Sequence, residues 1–153
     1  MNNLPELNLS EKTSNPIGEK FVVFTLGDEL FAVSAGKVSE VASPLSITTL
    51  PTSPEWLFGI TNLRGEIVSI INLPKLWKIE IPVSFAKPKL LIFRTKTGTI
   101  AIATDRINEI INLGEDTIIP NEENSHFYAQ ATFETKTVNL INSENLFSKI
   151  APF

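Results

Sequence analysis

Few side chains in this 153-residue chain could carry out catalysis or hold a metal ion. The chain contains no Cys, which excludes thiol nucleophiles, zinc–thiolate sites and disulfides. Its one histidine, His126, lies in the polar stretch NEENSHFY, which offers no frame for a Ser-His-Asp arrangement. The stretch from Gly59 to Gly65 lacks the lysine and the long following helix of a phosphate-binding loop. We therefore expect no catalytic residue, no metal site and no cofactor.

The side chain best placed for a binding function is Arg64, in the sequence NLRG at 62–65. Asn and Gly tolerate the left-handed backbone region, so this sequence predicts a tight turn. The apolar run at 67–71 is rich in β-branched residues and predicts a buried strand after the turn. Two roles for Arg64 remain open. Its guanidinium could cap carbonyls or pair with Glu66, or it could anchor a protein partner.

The charge and hydropathy of the chain narrow the range of partners. There are 13 basic and 17 acidic side chains, giving a net charge of −4, and no basic run is present. Nucleic acid is therefore disfavoured as a partner. No apolar run approaches the roughly 20 residues of a membrane helix, so we expect no direct membrane insertion. Residues 1–18 are polar and lack the pattern of a signal peptide, which predicts a flexible tail on a cytoplasmic protein. A docking role for Leu4, Leu7 and Leu9 in this tail is the alternative.

Short β-type runs separated by turn residues predict a chain made mainly of strands. Gly27-Asp28 and Thr97-Gly98 each lie between two such runs and predict hairpins. A further strand is expected at 46–50, where prolines stop it. Single helical turns are expected at 73–77 and 143–149. These elements would hold the turn at 62–65 between two strands.

The sequence also contains an internal duplication. A shift of 69 residues aligns 21–51 with 90–120, and a shift of 70 aligns 68–77 with 138–147. Two copies of a small five-stranded unit are therefore predicted, and neither copy alone would bury much surface, so the two should share a core. The pattern at 62–65 has no counterpart in the second copy. Residues special to one copy are candidates for function.

Several segments together resemble the CheW family of chemotaxis coupling proteins. They are GITNLRGEIV at 59–68, FVVFTLGDELFAV at 21–33, KVSEV at 37–41 and AIATDRINEI at 101–110. The resemblance implies an all-β fold of two SH3-like five-stranded β-barrels related by a pseudo-twofold, with one or two short helices. The domain would span 19–153, with halves at about 19–83 and 84–153. Exchange of a strand between the halves is left open.

The resemblance also implies a function. The chain would be a non-enzymatic adaptor that couples methyl-accepting chemoreceptors to a CheA-type histidine kinase at membrane-associated arrays. Receptor would bind between the barrels and kinase at the barrel edges. The residues implied to bind receptor or kinase are Val38, Glu40, Gly59, Asn62 and Arg64.

Three of these residues also have structural explanations. Glu109 lies at the position equivalent to Glu40, which favours a shared structural role for both, such as bonding backbone amides at a turn. Asn62 is expected to shape the turn, and Gly59 to permit close backbone approach. Two alternative functions stay open: an adaptor in a pilus-motility or other two-component array, and a ligand-binding β-barrel module.

Overall fold

The structure, a computed structural model, describes residues 18–44, 46–122, 126–148 and 150. The predicted tail at 1–18, with Leu4, Leu7 and Leu9, lies outside the described residues except for its last position. The described part is all-β, as predicted, with two short helices, α1 (Leu73–Trp77) and α2 (Ser143–Ser148). The strands are β1 (Glu19–Leu26), β2 (Glu29–Ser34), β3 (Glu40–Ala42), β4 (Leu57–Leu63), β5 (Glu66–Ile71), β6 (Lys89–Thr95), β7 (Gly98–Thr104), β8 (Arg106–Leu113), β9 (Ile119–Pro120), β10 (Ala129–Phe133) and β11 (Lys136–Ile141).

The strands form two sheets with the same internal order. The six-stranded sheet runs β8-β1-β2-β11-β10-β9, and the five-stranded sheet runs β3-β6-β7-β5-β4. The 69–70 residue shift converts β3, β6, β7, β5 and β4 into β8, β1, β2, β11 and β10. In place of β9, the five-stranded sheet has a single bridge between Thr48 and Ile60. The duplication predicted from sequence is therefore confirmed in the topology.

Each sheet holds, between two of its own strands, a hairpin from the other half of the chain. The hairpin β1–β2 lies between β8 and β11, and the hairpin β6–β7 lies between β3 and β5. Parallel pairing joins β2 to β11 and β5 to β7, whereas all other pairs are antiparallel. The exchange thus comprises a whole hairpin in each direction.

The apolar pattern explains why these hairpins occupy central positions. Alternate residues of β1 enter different clusters, so that Val22 and Phe24 face one core while Phe21 and Val23 face another. A strand that is apolar on both faces must be covered on both faces. One cluster combines both halves, including Phe31, Leu91 and Trp77, and confirms the shared core. Each sheet has a second cluster on its other face.

The two helices follow the equivalent strands β5 and β11, and each begins with the same kind of cap. Asn72 precedes α1, and its side-chain oxygen accepts a hydrogen bond from the backbone amide of Lys75 at 3.2 Å. Asn142 precedes α2 and accepts from the amide of Asn145 at 3.0 Å. An Asn in this position satisfies an amide that the helix leaves without a partner, and thereby fixes the start of the helix.

Two expectations about local structure were wrong. The strand expected at 46–50 is reduced to a single bridge between Thr48 and Ile60 of β4. The turn of the second hairpin is Lys96-Thr97 rather than Thr97-Gly98, since Gly98 already pairs with Thr95.

Candidate functional site

The tip of the β4–β5 hairpin presents Arg64 on a two-residue turn. Arg64 has φ 53° and Gly65 has φ 86°, so both adopt the left-handed conformation of a tight hairpin turn. The side-chain oxygen of Asn62 accepts a hydrogen bond from the backbone amide of Gly65 at 2.8 Å. Asn62 therefore holds the turn closed from within, and the backbone beneath Arg64 is fixed.

The guanidinium of Arg64 extends from this turn to the start of β3. Its Nη2 lies 2.5 Å from Oε2 of Glu40, which is an ion pair with a direct hydrogen bond. The Arg64 side chain remains 64% exposed, while that of Glu40 is 27% exposed. Much of the guanidinium thus stays accessible to a partner although one edge of it is held.

A second arginine, Arg94 at the end of β6, binds the same carboxylate. Its Nη2 lies 3.2 Å from Oε2 of Glu40, and its Nη1 lies 2.6 Å from Oε1 of Glu66. Its Nε donates to the hydroxyl oxygen of Ser39 at 3.1 Å. Glu40, Arg64, Glu66 and Arg94 therefore form one ion-pair network with two positive and two negative charges.

Glu66 is the member of this network that contacts β7. The hydroxyl of Thr99 donates a short hydrogen bond to Oε2 of Glu66. This hydrogen bond, and next the one from Arg94, lower the pKa of Glu66 below its ordinary value. The hydrogen bond with Glu66 and its charge in turn raise the pKa of Arg94. Both groups are thereby held in their charged forms.

The strand pairing explains why these residues meet. Arg94 lies opposite Thr99 in the β6–β7 pair, and Thr99 lies opposite Val68 in the β5–β7 pair. Glu40 lies opposite Ile92 in the β3–β6 pair. Ile92 comes two residues before Arg94, so both side chains lie on the same face of the sheet. Val68 and Ile92 belong to the cluster on this face, so the ion-pair network lies at the end of that apolar core.

The other residues expected at the site lie elsewhere. Gly59 is buried in β4, and a Cβ there would lie 2.7 Å from the carbonyl oxygen of Thr48 and 2.7 Å from Cγ2 of Ile47. Gly59 thus permits close approach of the neighbouring chain. Val38 is half-buried and packs against the core that the two halves share. The structure brings together Glu40 and Arg64, with Asn62 below them, but it does not bring Gly59 or Val38 to the network.

The ion pair of Arg64 with Glu66, which the sequence suggested as one alternative, is not the pair that the structure shows. Glu66 pairs with Arg94, whereas Arg64 pairs with Glu40. The carboxylate of Glu40 accepts from two guanidiniums, and the equivalent Glu109 is exposed on β8.

Comparison with known proteins identifies the family of this chain. The family model of the CheW-like domain matches residues 20–151. The chain belongs to the CheW-like domain family. Relatives include the chemotaxis protein CheW of Klebsiella aerogenes, 28% identical over 75% of this chain and 69% of that protein. Protein FrzA of Myxococcus xanthus is 26% identical over 86% of this chain and 84% of its own length. The crystal structure of the scaffolding protein TtCheW from Thermoanaerobacter tengcongensis has a TM-score of 0.71, with 29% identity, and covers 81% of this chain and 88% of that one.

Within this CheW-like domain the six-stranded sheet has a different structure at the equivalent place. Thr25 replaces Arg94, Leu30 replaces Thr99 and Lys136 replaces Glu66. A cleft of about 300 Å³ lies there, lined by these three residues and by Arg106, Asn108, Phe133 and Glu134, among others. The six-stranded sheet therefore forms without the ion-pair network.

Sequence reasoning missed Arg94, which makes the most contacts in the network of this CheW-like domain. No motif marks Arg94, and it lies 54 residues from Glu40 and 28 from Glu66. The duplication contained one signal, since Arg94 aligns with the uncharged Thr25. A comparison of charge between the two copies would have identified it.

His126 packs against the core between the two halves. Its ring stacks on the indole of Trp77, with ring centroids 4.8 Å apart and an interplanar angle of 26°.

In the described part of the CheW-like domain, no group of three or more His, Asp or Glu side chains is placed to hold a metal ion. None of the helices there is long and apolar enough to cross a membrane.

Proposed function

We propose that this chain is a non-enzymatic adaptor that couples methyl-accepting chemoreceptors to a CheA-type histidine kinase in a signalling array. The observation that carries the proposal is the exposed Arg64, held by Glu40 on a closed turn, in a chain of the CheW-like domain family. The names of its relatives, a chemotaxis protein and a scaffolding protein, point in the same direction.

Arg64 has the properties of a binding anchor. Its guanidinium carries several donors in a rigid plane, and its backbone is already ordered, so little freedom is lost on binding. We propose receptor binding at Arg64 and Glu40, with Val38 contributing from the margin of the shared core. Asn62 and Gly59 support this surface through the backbone. Asn62 closes the turn, and Gly59 permits the close approach of the chain beside β4.

The kinase surface is proposed at the sheet edges. Val41 on edge strand β3 and Ile110 on edge strand β8 are equivalent through the 69-residue shift, and their exposures are 51% and 60%. Exposed apolar side chains on edge strands favour contact with another sheet. A kinase domain of related fold could pack on either edge in the same manner. The assembly would lie in the cytoplasm at membrane-associated receptor arrays.

The first test is recovery of the full chain from its native cells with its bound proteins. The expected result is co-purification of a histidine kinase and a chemoreceptor. Recovery of neither would contradict the proposal.

The second test measures Arg64→Ala against the recovered receptor. We expect binding to weaken by about 2 kcal/mol, as for a central anchor, while the free energy of unfolding changes by no more than about 0.5 kcal/mol. Titration calorimetry and thermal melts measure the two quantities. Arg106→Ala, which removes an exposed arginine from β8, is the matched control and should change neither. A large loss of stability with unchanged binding would show that Arg64 is structural.

A second candidate is the same adaptor role in an array with another output, such as pilus motility. The similarity to protein FrzA supports keeping it. The identities of the recovered kinase and receptor separate the two outputs. The alternative of a ligand-binding β-barrel has less support, because apolar side chains pack against both faces of the central strands.

A further inference from the structure

One residue of the ion-pair network has a role other than direct contact with a partner. Arg94 is bonded to Glu40, Glu66 and Ser39 at the same time, through three different nitrogen atoms. We infer that Arg94 is a positioning residue: it fixes the carboxylate of Glu40, and through Glu40 it fixes the orientation in which Arg64 meets a partner. This inference rests on the proposed function, since it concerns the same surface.

The geometry supports a positioning role because Glu40 alone is poorly restrained. Glu40 is the first residue of β3, a strand of three residues at the edge of its sheet. A side chain there can adopt several rotamers, and an exposed ion pair with Arg64 alone would hold it weakly. Arg94 lies on the adjacent strand β6, where it pairs with Thr99 of the central strand β7. Arg94 therefore ties the carboxylate to an inner strand of the sheet.

Glu66 and Thr99 restrain Arg94 in turn. Glu66 binds Nη1 of Arg94 and accepts from the hydroxyl of Thr99, which is 8% exposed and lies on the central strand β7. The order of support thus runs from the sheet interior outward, through Thr99, Glu66, Arg94 and Glu40 to Arg64. Planar guanidinium groups suit such a chain, because each can bind two acceptors in fixed directions.

The six-stranded sheet indicates that the fold does not require this chain of contacts. Thr25, Leu30 and Lys136 occupy the places of Arg94, Thr99 and Glu66, and the six-stranded sheet has the same strand order. At the outer end, Glu134 occupies the place of Arg64. Thr99, Glu66 and Arg94 therefore occur together with Arg64 in the five-stranded sheet, and the six-stranded sheet has other residues at all four places. Glu40 differs from them, because its equivalent is Glu109.

The first measurement needs no partner. We would record the ¹⁵N order parameter of the Arg64 Nε–H group in the full chain and in Arg94→Gln. We expect the order parameter to fall below about 0.6 in the variant, the value of a flexible group. Arg94→Lys should restore part of the order, because it keeps the charge but not the two-pronged contact. Lys89→Gln removes a charge from the other end of β6 and should leave Arg64 unchanged.

The second measurement is a double-mutant cycle with the receptor recovered in the native-cell experiment. Arg94→Gln should weaken binding about fivefold, with a melting temperature close to that of the unchanged protein. A residue that acts only through Arg64 should add nothing once Arg64 is removed. The variant carrying both Arg64→Ala and Arg94→Gln should therefore bind like Arg64→Ala alone.

The outcomes are distinguishable. Additive losses would mean that Arg94 touches the partner itself, and would overturn the inference. An unchanged Arg64 order parameter in Arg94→Gln would also overturn it, even if Arg64→Ala weakens binding and the proposed function stands. If Arg64→Ala has no effect on binding, the anchor assignment fails, and the order parameter alone decides whether Arg94 orders Arg64.

Discussion

At the scale of single residues, two hydrogen bonds act on the pKa of the Glu66 carboxylate. The pKa of Glu66 is lowered first by the hydrogen bond from Thr99 and then by the hydrogen bond from Arg94. A hydrogen bond given to the charged form favours that form over the protonated one. The neutral hydroxyl of Thr99 thus helps to keep Glu66 ionised, in addition to the ion pair between Glu66 and Arg94.

We predict that Thr99→Val raises the pKa of Glu66 towards its ordinary value of 4.5. Carboxyl carbon chemical shifts followed by NMR over a pH titration measure this change. Thr97→Val, in the neighbouring turn, is the control and should leave the pKa unchanged. The prediction is wrong if both variants titrate alike.

A pH dependence of stability follows from the same shift. Because the pKa of Glu66 is lower in the folded than in the unfolded chain, its contribution to stability is complete above the unfolded pKa. That contribution is lost as the pH falls through the lowered folded pKa. Thr99→Val should therefore reduce the part of acid destabilisation that arises below about pH 4.5.

At the scale of elements, the two copies build the same hairpin turn from different residues. Arg64-Gly65 and Glu134-Thr135 both have positive φ at both positions, with φ 49° at Glu134 and 67° at Thr135. Such a turn matches the twist of the strands that it joins. A β-branched residue such as Thr135 is strained in the left-handed region, whereas Gly65 is not.

We predict that Thr135→Gly raises the free energy of unfolding by up to about 1 kcal/mol, because it relieves backbone strain. Gly65→Ala should lower it by about 1–2 kcal/mol, since a Cβ there meets no atom but enters the left-handed region. Denaturant unfolding measures both changes. Gly36→Ala is the control, because that site is also open and lacks a positive φ, and it should be nearly neutral. Destabilisation by Thr135→Gly would contradict the strain argument.

At the scale of the whole molecule, the exchanged hairpins make the two halves dependent on one another. Residues 19–83 contain β3, β4 and β5 of the five-stranded sheet but not its central hairpin β6–β7. Residues 84–153 lack the central hairpin β1–β2 of the six-stranded sheet in the same way. The cluster shared by both halves would also be open to water in each fragment.

We predict that the fragments 19–83 and 84–153 are each unfolded alone and regain structure when mixed. Circular dichroism and thermal melts of each fragment and of the mixture measure this. The control is a truncation that begins at Glu19, which keeps every described strand and should retain the melting temperature of the full chain. A cooperative thermal transition in either isolated fragment would contradict the prediction.

Local features of the site could be predicted from sequence because they depend on neighbouring residues. Asn62 and Gly65 specify the turn, and the apolar run after them specifies the strand, so the place of Arg64 in a hairpin turn could be predicted. The cap at Asn72 and the equivalent cap at Asn142 follow from short-range chemistry as well. The duplication, and with it the shared core, came from a shift that needs no structure to detect, and the all-β class came from short β-type runs and the family resemblance.

Only the tertiary structure decided which charges meet. Glu40 and Arg64 were both identified, but their ion pair joins residues 24 positions apart, and the link through Arg94 spans 54. These contacts depend on β3 pairing with β6 and β5 pairing with β7, and so on the exchange of hairpins between the halves. Strand pairing over such distances is chosen by the burial summed over whole apolar faces. No short segment carries that sum, whereas a turn is fixed by the few residues that form it.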